Sequence, residues 1–349
     1  MTETGGAPGI LDEAYERLHH TGPEFEGWLS NHGPMAADAL IRLGHGQRVQ
    51  PWVRGYERRL EEPPTPRWGI VEDEWREPLG DASRLGDWSA LFAEQVHTQP
   101  WAALLARWWP RLLPGAIASA THGLIRTGHV VRALREQVTA PRLDELGQAL
   151  AYWAARWQPI PGQRPASGSQ EVGTALDAVP GLDMAGGART RLARLGQTPS
   201  WPAAVAALRP PTHPRQAPAA LDVLVDAAVT RYSRWAHGSP IMLVHAATAP
   251  RAAALVLPSL PEELWLDTHD MAWAVTAAIS SAYRPTGQPP PRTDKELSAT
   301  SIEDVAELAV ASGDEHAIKF AEVVQESHWR GNSAAVPSGA RAVALIEPD

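Results

Sequence analysis

The sequence predicts an all-α fold, and three observations carry that prediction. Apolar residues recur at spacings of three and four along most of the chain. No stretch shows sustained alternation of β-branched residues, and nothing resembles a series of βαβ units. The connections are short and evenly spread. They point to a single compact multi-helix domain over residues 1–349 with a buried metal or ligand pocket, and to a flexible tail over 333–349.

The elements follow in order. Leu11 to His20 reads as a short amphipathic helix and Phe25 to Leu29 as a brief apolar piece. In SNHGPMAADALIRLG, Pro34 suits the first turn of a helix running to about Leu43. His32 therefore stands at a helix N-terminus, where the dipole favours the neutral, metal-binding imidazole; a capping role fits that place equally well. Gln47 to Gly80, rich in Pro, Arg, Glu and Trp, reads as an extended packed connection. Ala90 to Arg111 is expected to be helical, ending at Pro110 or Pro114. Pro141 to Trp157 is a further helix, with Leu143, Leu146, Leu150, Trp153 and Trp157 on its inner face. Loops follow at Ile160–Gln170 and Arg209–Pro218. Helices are then expected over Ala219–Trp235, over Ser239–Leu260 (where Pro250 interrupts or ends the helix that carries His245) and over Glu262–Pro285. Ser301–Glu326 is read as two helices parted at Gly313.

The stretch with the most chemistry is PGAIASATHGLIRTGHVVRALRE, residues 114–136, expected as one uninterrupted core helix. His122 and His129 lie seven residues apart, on one face within about 20° and separated by roughly 10.5 Å along the axis. Arg126 sits between them. Gly123 and Gly128 cost about 1 kcal/mol each relative to Ala and leave open flank where something else can approach.

Composition narrows the function. There are no cysteines, so any metal must use His, carboxylate or a modified side chain. A net charge of −9 without a dense basic run argues against nucleic acid and anionic membranes as partners. The first residues lack a basic and an apolar segment, and no stretch approaches the roughly 20 apolar residues of a spanning helix. A soluble, cytoplasmic protein is the expectation. Fifteen Trp stand against five Tyr and three Phe. They are either ordinary core residues or the walls of a pocket for a planar polycyclic ligand. There is no Rossmann fingerprint, hence no flavin or nicotinamide motif, no P-loop and no G-x-S-x-G elbow. Glu94 and His97 make one Glu-x-x-His pattern where a ferritin-like site needs two.

Four blocks, SNHGPMAADAL, THGLIRTGH, LVHAATAP and DEHAIKFAE, occur in an order that resembles the questin oxidase family, over about residues 25 to 330. The resemblance implies an oxygenase that opens quinone rings of polycyclic aromatic polyketides in secondary metabolism, with O2 as co-substrate. Members are described either as non-haem iron dioxygenases with histidine ligands and a carboxylated lysine, or as NADPH-dependent Baeyer–Villiger-type oxygenases without a flavin motif. Carried over, the ligand candidates are His32, His122, His245 and Lys319. Where fungal members have a second histidine, this chain has Arg126. Either His129 takes that ligand position, or Arg126 contributes charge stabilisation of an oxyanion, contacting the substrate or a carboxylate partner. Lys319 shares a helix face with His316, Phe320 and Val323, so it is expected to be buried and carboxylated; the ordinary reading is that it snorkels or pairs with Glu315 or Glu322. Two other classes stay open. An HD-type phosphohydrolase would use His245, His269–Asp270 and Asp314; a helical protein could instead bind an aromatic ligand without turnover.

Overall fold

The computed structural model describes residues 7–26, 29–183 and 185–346. These residues are helical, with a two-stranded antiparallel sheet (Glu24–Phe25 with Leu29–Ser30) as the only sheet among them. The predicted all-α class holds. Contacts divide the expected single domain into two compact units, residues 1–159 with 258–261, and residues 160–257 with 262–349.

In the first unit, helices α1 (Ala7–His19), α2 (Gly33–Arg42), α3 (Gly46–Tyr56), α4 (Leu85–Thr98), α5 (Trp101–Leu112), α6 (His122–Glu136) and α7 (Ala140–Arg156) surround one core. Helix α6 packs on α2 and α7, and α7 also packs on α4 and α1. Every residue of α6 from His122 to Leu134 is buried, so the helix is covered on all sides. Gly123 is explained by that packing: a Cβ there would lie 2.5 Å from Trp153 Cβ. The flank that glycine leaves open is filled by the Trp153 side chain.

Three expectations need correction here. The segment 114–136 is not one helix. A short 3-10 turn, Leu113–Gly115, is followed by Ser119, Ala120 and Thr121 at φ 46°, 54° and 71°, and α6 starts only at His122. Periodicity cannot reveal a left-handed turn built from non-glycine residues, because such a turn is held by its surroundings rather than by its own preference. Gly46–Tyr56 is helical around Pro51, inside the stretch expected to be extended. The Ala90–Arg111 helix is two helices, parted at Gln99 and Pro100.

In the second unit, α8 (Val172–Ala178), α9 (Ala188–Ala193) and α10 (Trp201–Ala206) precede the long helices α11 (Ala217–Trp235), α12 (Pro240–Val256) and α13 (Trp265–Tyr283). Then come α14 (Asp294–Ser298), α15 (Ile302–Ser312), α16 (Glu315–Trp329) and α17 (Ala335–Leu345). Helix α12 packs on α11 and α13, and α16 on α12, α15 and α17. As expected, Gly313 parts α15 from α16; it closes α15 in the left-handed conformation at φ 73°.

Pro250 does not end α12. A proline leaves the carbonyl four residues earlier without its helical partner. That carbonyl, on Ala246, accepts a hydrogen bond from the Thr276 hydroxyl of α13 at 3.0 Å. The segment Pro240–Ser259 is long and apolar enough to cross a membrane by composition alone, contrary to the sequence reading, but most of it is buried inside the protein. Most of the expected flexible tail is helix α17. Its small apolar residues pack inward, and Arg341 is buried against Glu296 at 2.6 Å. Residues 347–349 lie outside the described residues, as do residues 27 and 28 of the piece expected over Phe25 to Leu29.

The tight α6–α7 seam gives a first prediction. Gly123→Ala should destabilise the protein by about 1–3 kcal/mol through overpacking against Trp153, measured by urea denaturation.

Candidate metal centre

In the first unit, the sequence brings His32 and His122 together. The hairpin delivers the chain to Asn31, whose side-chain oxygen accepts the Gly33 N–H at 2.9 Å. His32 becomes the N-cap of α2, with Pro34 in the first turn, as the sequence suggested. The His32 ring does not cap the helix. Its backbone N–H donates to the Tyr56 hydroxyl at 2.7 Å, and the same hydroxyl stands 3.5 Å from its Nδ1. Tyr56 is fixed in turn by stacking on Trp52, with ring centres 4.8 Å apart.

His122 is presented by the left-handed turn. Its Nδ1 donates to the Ser119 carbonyl at 2.5 Å, across that turn. Three consecutive L-residues in this region cost roughly 1–2 kcal/mol each, so something must hold them. Trp153 does much of this. Its indole N–H donates to the Gly115 carbonyl before the turn at 3.2 Å, and its side chain covers Gly123 after it. Tyr152, fully buried beside the Ser119 and Ser30 side chains, has its phenol pushed up to about 12 by burial and stays neutral. The His32 and His122 ring centres are 4.4 Å apart, edge to face.

In the second unit, His245 of α12 and His316 of α16 have ring centres 5.6 Å apart. His245 Nδ1 donates to the Ile241 carbonyl of its own helix at 3.0 Å. Burial, with His316 and Lys319 adding to it, holds the His245 pKa well below the ordinary histidine value, so the ring is neutral at pH 7. His316 is the second residue of α16. Asp314 caps that helix through Oδ1, which accepts the N–H groups of His316 and Ala317 at 2.7 and 2.9 Å. The same oxygen is 3.7 Å from His316 Nδ1.

Lys319 is only 1% exposed, and its Nζ has no hydrogen-bond partner. Burial lowers its pKa to about 8, against the pull of Glu315 and Asp314 in the other direction. The expectation of a buried lysine holds; snorkelling does not occur. His316 was read from the sequence only as a neighbour on the Lys319 face. The signal that could have promoted it was its place in the first turn after the Asp314 cap, the same helix-start position that drew attention to His32. Within the first unit, His32 and His122 are the described histidines placed to serve a metal ion together.

The other candidates have polar partners of their own. Arg126 is fully buried and pairs through two nitrogens with Glu145 of α7, at 2.5 and 2.6 Å, and also reaches Gln148 at 2.8 Å. A carboxylate partner of Arg126 was one of the two contacts expected for it. His129 Nδ1 lies 2.9 Å from Asp38 Oδ2, and Arg132 donates to the same oxygen. Asp38 is fully buried; although burial raises its pKa, Arg132, His129 and Arg42 override that and hold it well below the usual carboxylate range. Asp270 of the HD pair accepts the Ala166 N–H at 2.7 Å, and burial lowers the pKa of His269 to about 4. His97, from the Glu-x-x-His pattern, pairs with Asp144 at 2.7 Å and is exposed.

Several buried tryptophans pack against one another or have their N–H groups satisfied. Trp88, Trp108 and Phe92 stack edge and face, and the indole donors of Trp88, Trp108, Trp201 and Trp273 go to Pro78, Gln95, Pro161 and Val205.

Two predictions follow from these arrangements. Ala120→Gly should raise stability by about 1 kcal/mol, as relief of left-handed strain outweighs the entropy cost of glycine; thermal denaturation reads it. Asp38→Asn should cost about 3–5 kcal/mol at pH 7, because Arg132 loses its buried partner. The folded pKa of Asp38 lies below its unfolded value of about 3.9. Its contribution is therefore complete above that value and is lost as pH falls through the folded one. In urea titrations the gap between wild type and variant should narrow steadily below about pH 4.

No protein-family model matches the chain, and no curated protein matches it.

Proposed function

We propose that the protein is a non-haem iron oxygenase that opens the quinone ring of a polycyclic aromatic substrate, the activity implied by its resemblance to the questin oxidase family. The observation that supports the metal part of this reading is the shared orientation of four buried imidazoles. His122 and His245 commit Nδ1 to a carbonyl oxygen, His32 turns Nδ1 toward the Tyr56 hydroxyl, and His316 turns it toward Asp314. A neutral ring whose Nδ1 carries the proton offers its lone pair at Nε2. Fixing the tautomer through the opposite nitrogen is how proteins orient histidine ligands.

The candidate ligands are His32 and His122 in the first unit and His316 in the second, with His245 and Lys319 as the further ligands implied by the resemblance. When bound, iron supplies the one-electron chemistry with dioxygen that side chains lack. The chain's own contribution is a set of imidazoles whose Nδ1 sides are already oriented. His32 stands at a helix start, and His122 and His316 lie in a first helical turn.

Lys319 supplies the oxygen ligand that an all-histidine set lacks. Its lowered pKa leaves a usable share of free amine near neutral pH. The amine nitrogen bonds to the carbon of carbon dioxide and releases a proton, giving a carbamate with one negative charge. That charge suits a buried site that otherwise holds neutral rings.

Protein purified without chelator should contain iron near one equivalent by elemental analysis. Lys319→Ala should abolish it; bicarbonate should not restore binding, whereas a short-chain carboxylate should do so in part. Wild-type protein devoid of transition metal, or a Lys319→Ala variant with normal iron, would overturn the reading.

A further inference from the structure

We infer that Asp314 is a positioning residue for His316: the carboxylate that caps α16 also faces the His316 ring and sets which nitrogen that ring presents. The inference rests on the metal-centre reading above.

Two observations separate Asp314 from an ordinary cap. Its Oδ1 accepts the His316 and Ala317 N–H groups, and the same oxygen stands 3.7 Å from His316 Nδ1. The carboxylate is also buried, only 4% exposed, which is costly unless its charge is used. A solvent-facing cap would do the helical work more cheaply.

The other three rings face neutral oxygens, the hydroxyl of Tyr56 and the carbonyls of Ser119 and Ile241. His316 is oriented toward a formal negative charge. A carboxylate behind an imidazole fixes the Nδ1–H tautomer and makes the opposite nitrogen a stronger donor. The 3.7 Å separation is just beyond hydrogen-bond length, and such contacts commonly tighten when a site is filled. The sequence signature is compact: Asp314 and His316, two residues apart across a helix start.

The charge and the cap can be tested apart, because Asn caps a helix as well as Asp does. Asp314→Asn, Asp314→Ala and His316→Ala are compared with wild type for urea stability without metal. Each is then titrated with Co(II) against a competing chelator, with the absorption spectrum recorded. Asp314→Asn should keep metal-free stability yet lose about 10–100-fold in Co(II) affinity with an altered spectrum, while Asp314→Ala should lose both properties. Co(II) affinity and spectrum unchanged in Asp314→Asn, with His316→Ala impaired, would overturn the role of Asp314 and leave the metal centre standing. Absence of Co(II) binding in wild type would instead sink the metal reading, and this inference with it.

Discussion

A buried imidazole is tolerable only when uncharged, and an uncharged ring carries one lone pair whose direction the protein must choose. Much of this structure answers that requirement. Helix starts lie next to His32, His122 and His316. A hydroxyl, two carbonyls and a carboxylate take the Nδ1 sides. None of these devices is expensive singly.

The cost of presentation is concentrated at His122. Its three predecessors occupy a backbone region that L-residues avoid, and the turn persists because α7 grips it from both ends through Trp153. Strain, glycine placement and tryptophan packing are thus one arrangement. Gly123 exists so that Trp153 can lie close enough to α6, and Trp153 lies there so that the turn can hold. The second unit reaches a similar end by simpler means, with His245 bonded inside its own helix and His316 placed by an aspartate cap.

How much of this was legible in the sequence depends on range. Local signals worked: proline in the first turn placed α2, glycine parted α15 from α16, and the apolar neighbours of Lys319 placed its amine inside. Signals that depend on a distant partner did not. Nothing near Pro250 announces that Thr276 will take over the carbonyl of Ala246, so a break was expected where none exists. The His122–His129 spacing was read as one site because two turns bring residues to one face. The Asp38 and Arg132 neighbours of His129 were not foreseen, because periodicity does not encode partners. The last residues looked like a tail because small residues carry little periodic contrast, yet they pack as a helix around the buried Arg341.

The pairing of Arg126 with Glu145 has a consequence for how this chain can change. Each is buried, and each neutralises the other through two hydrogen bonds. Replacing Arg126 alone strands a carboxylate without its counter-charge, and replacing Glu145 alone strands a guanidinium; either single step carries a penalty of several kcal/mol. The two positions can therefore be exchanged only together, or in a background stable enough to survive the intermediate. That constraint entrenches the arginine whatever its present contribution to chemistry.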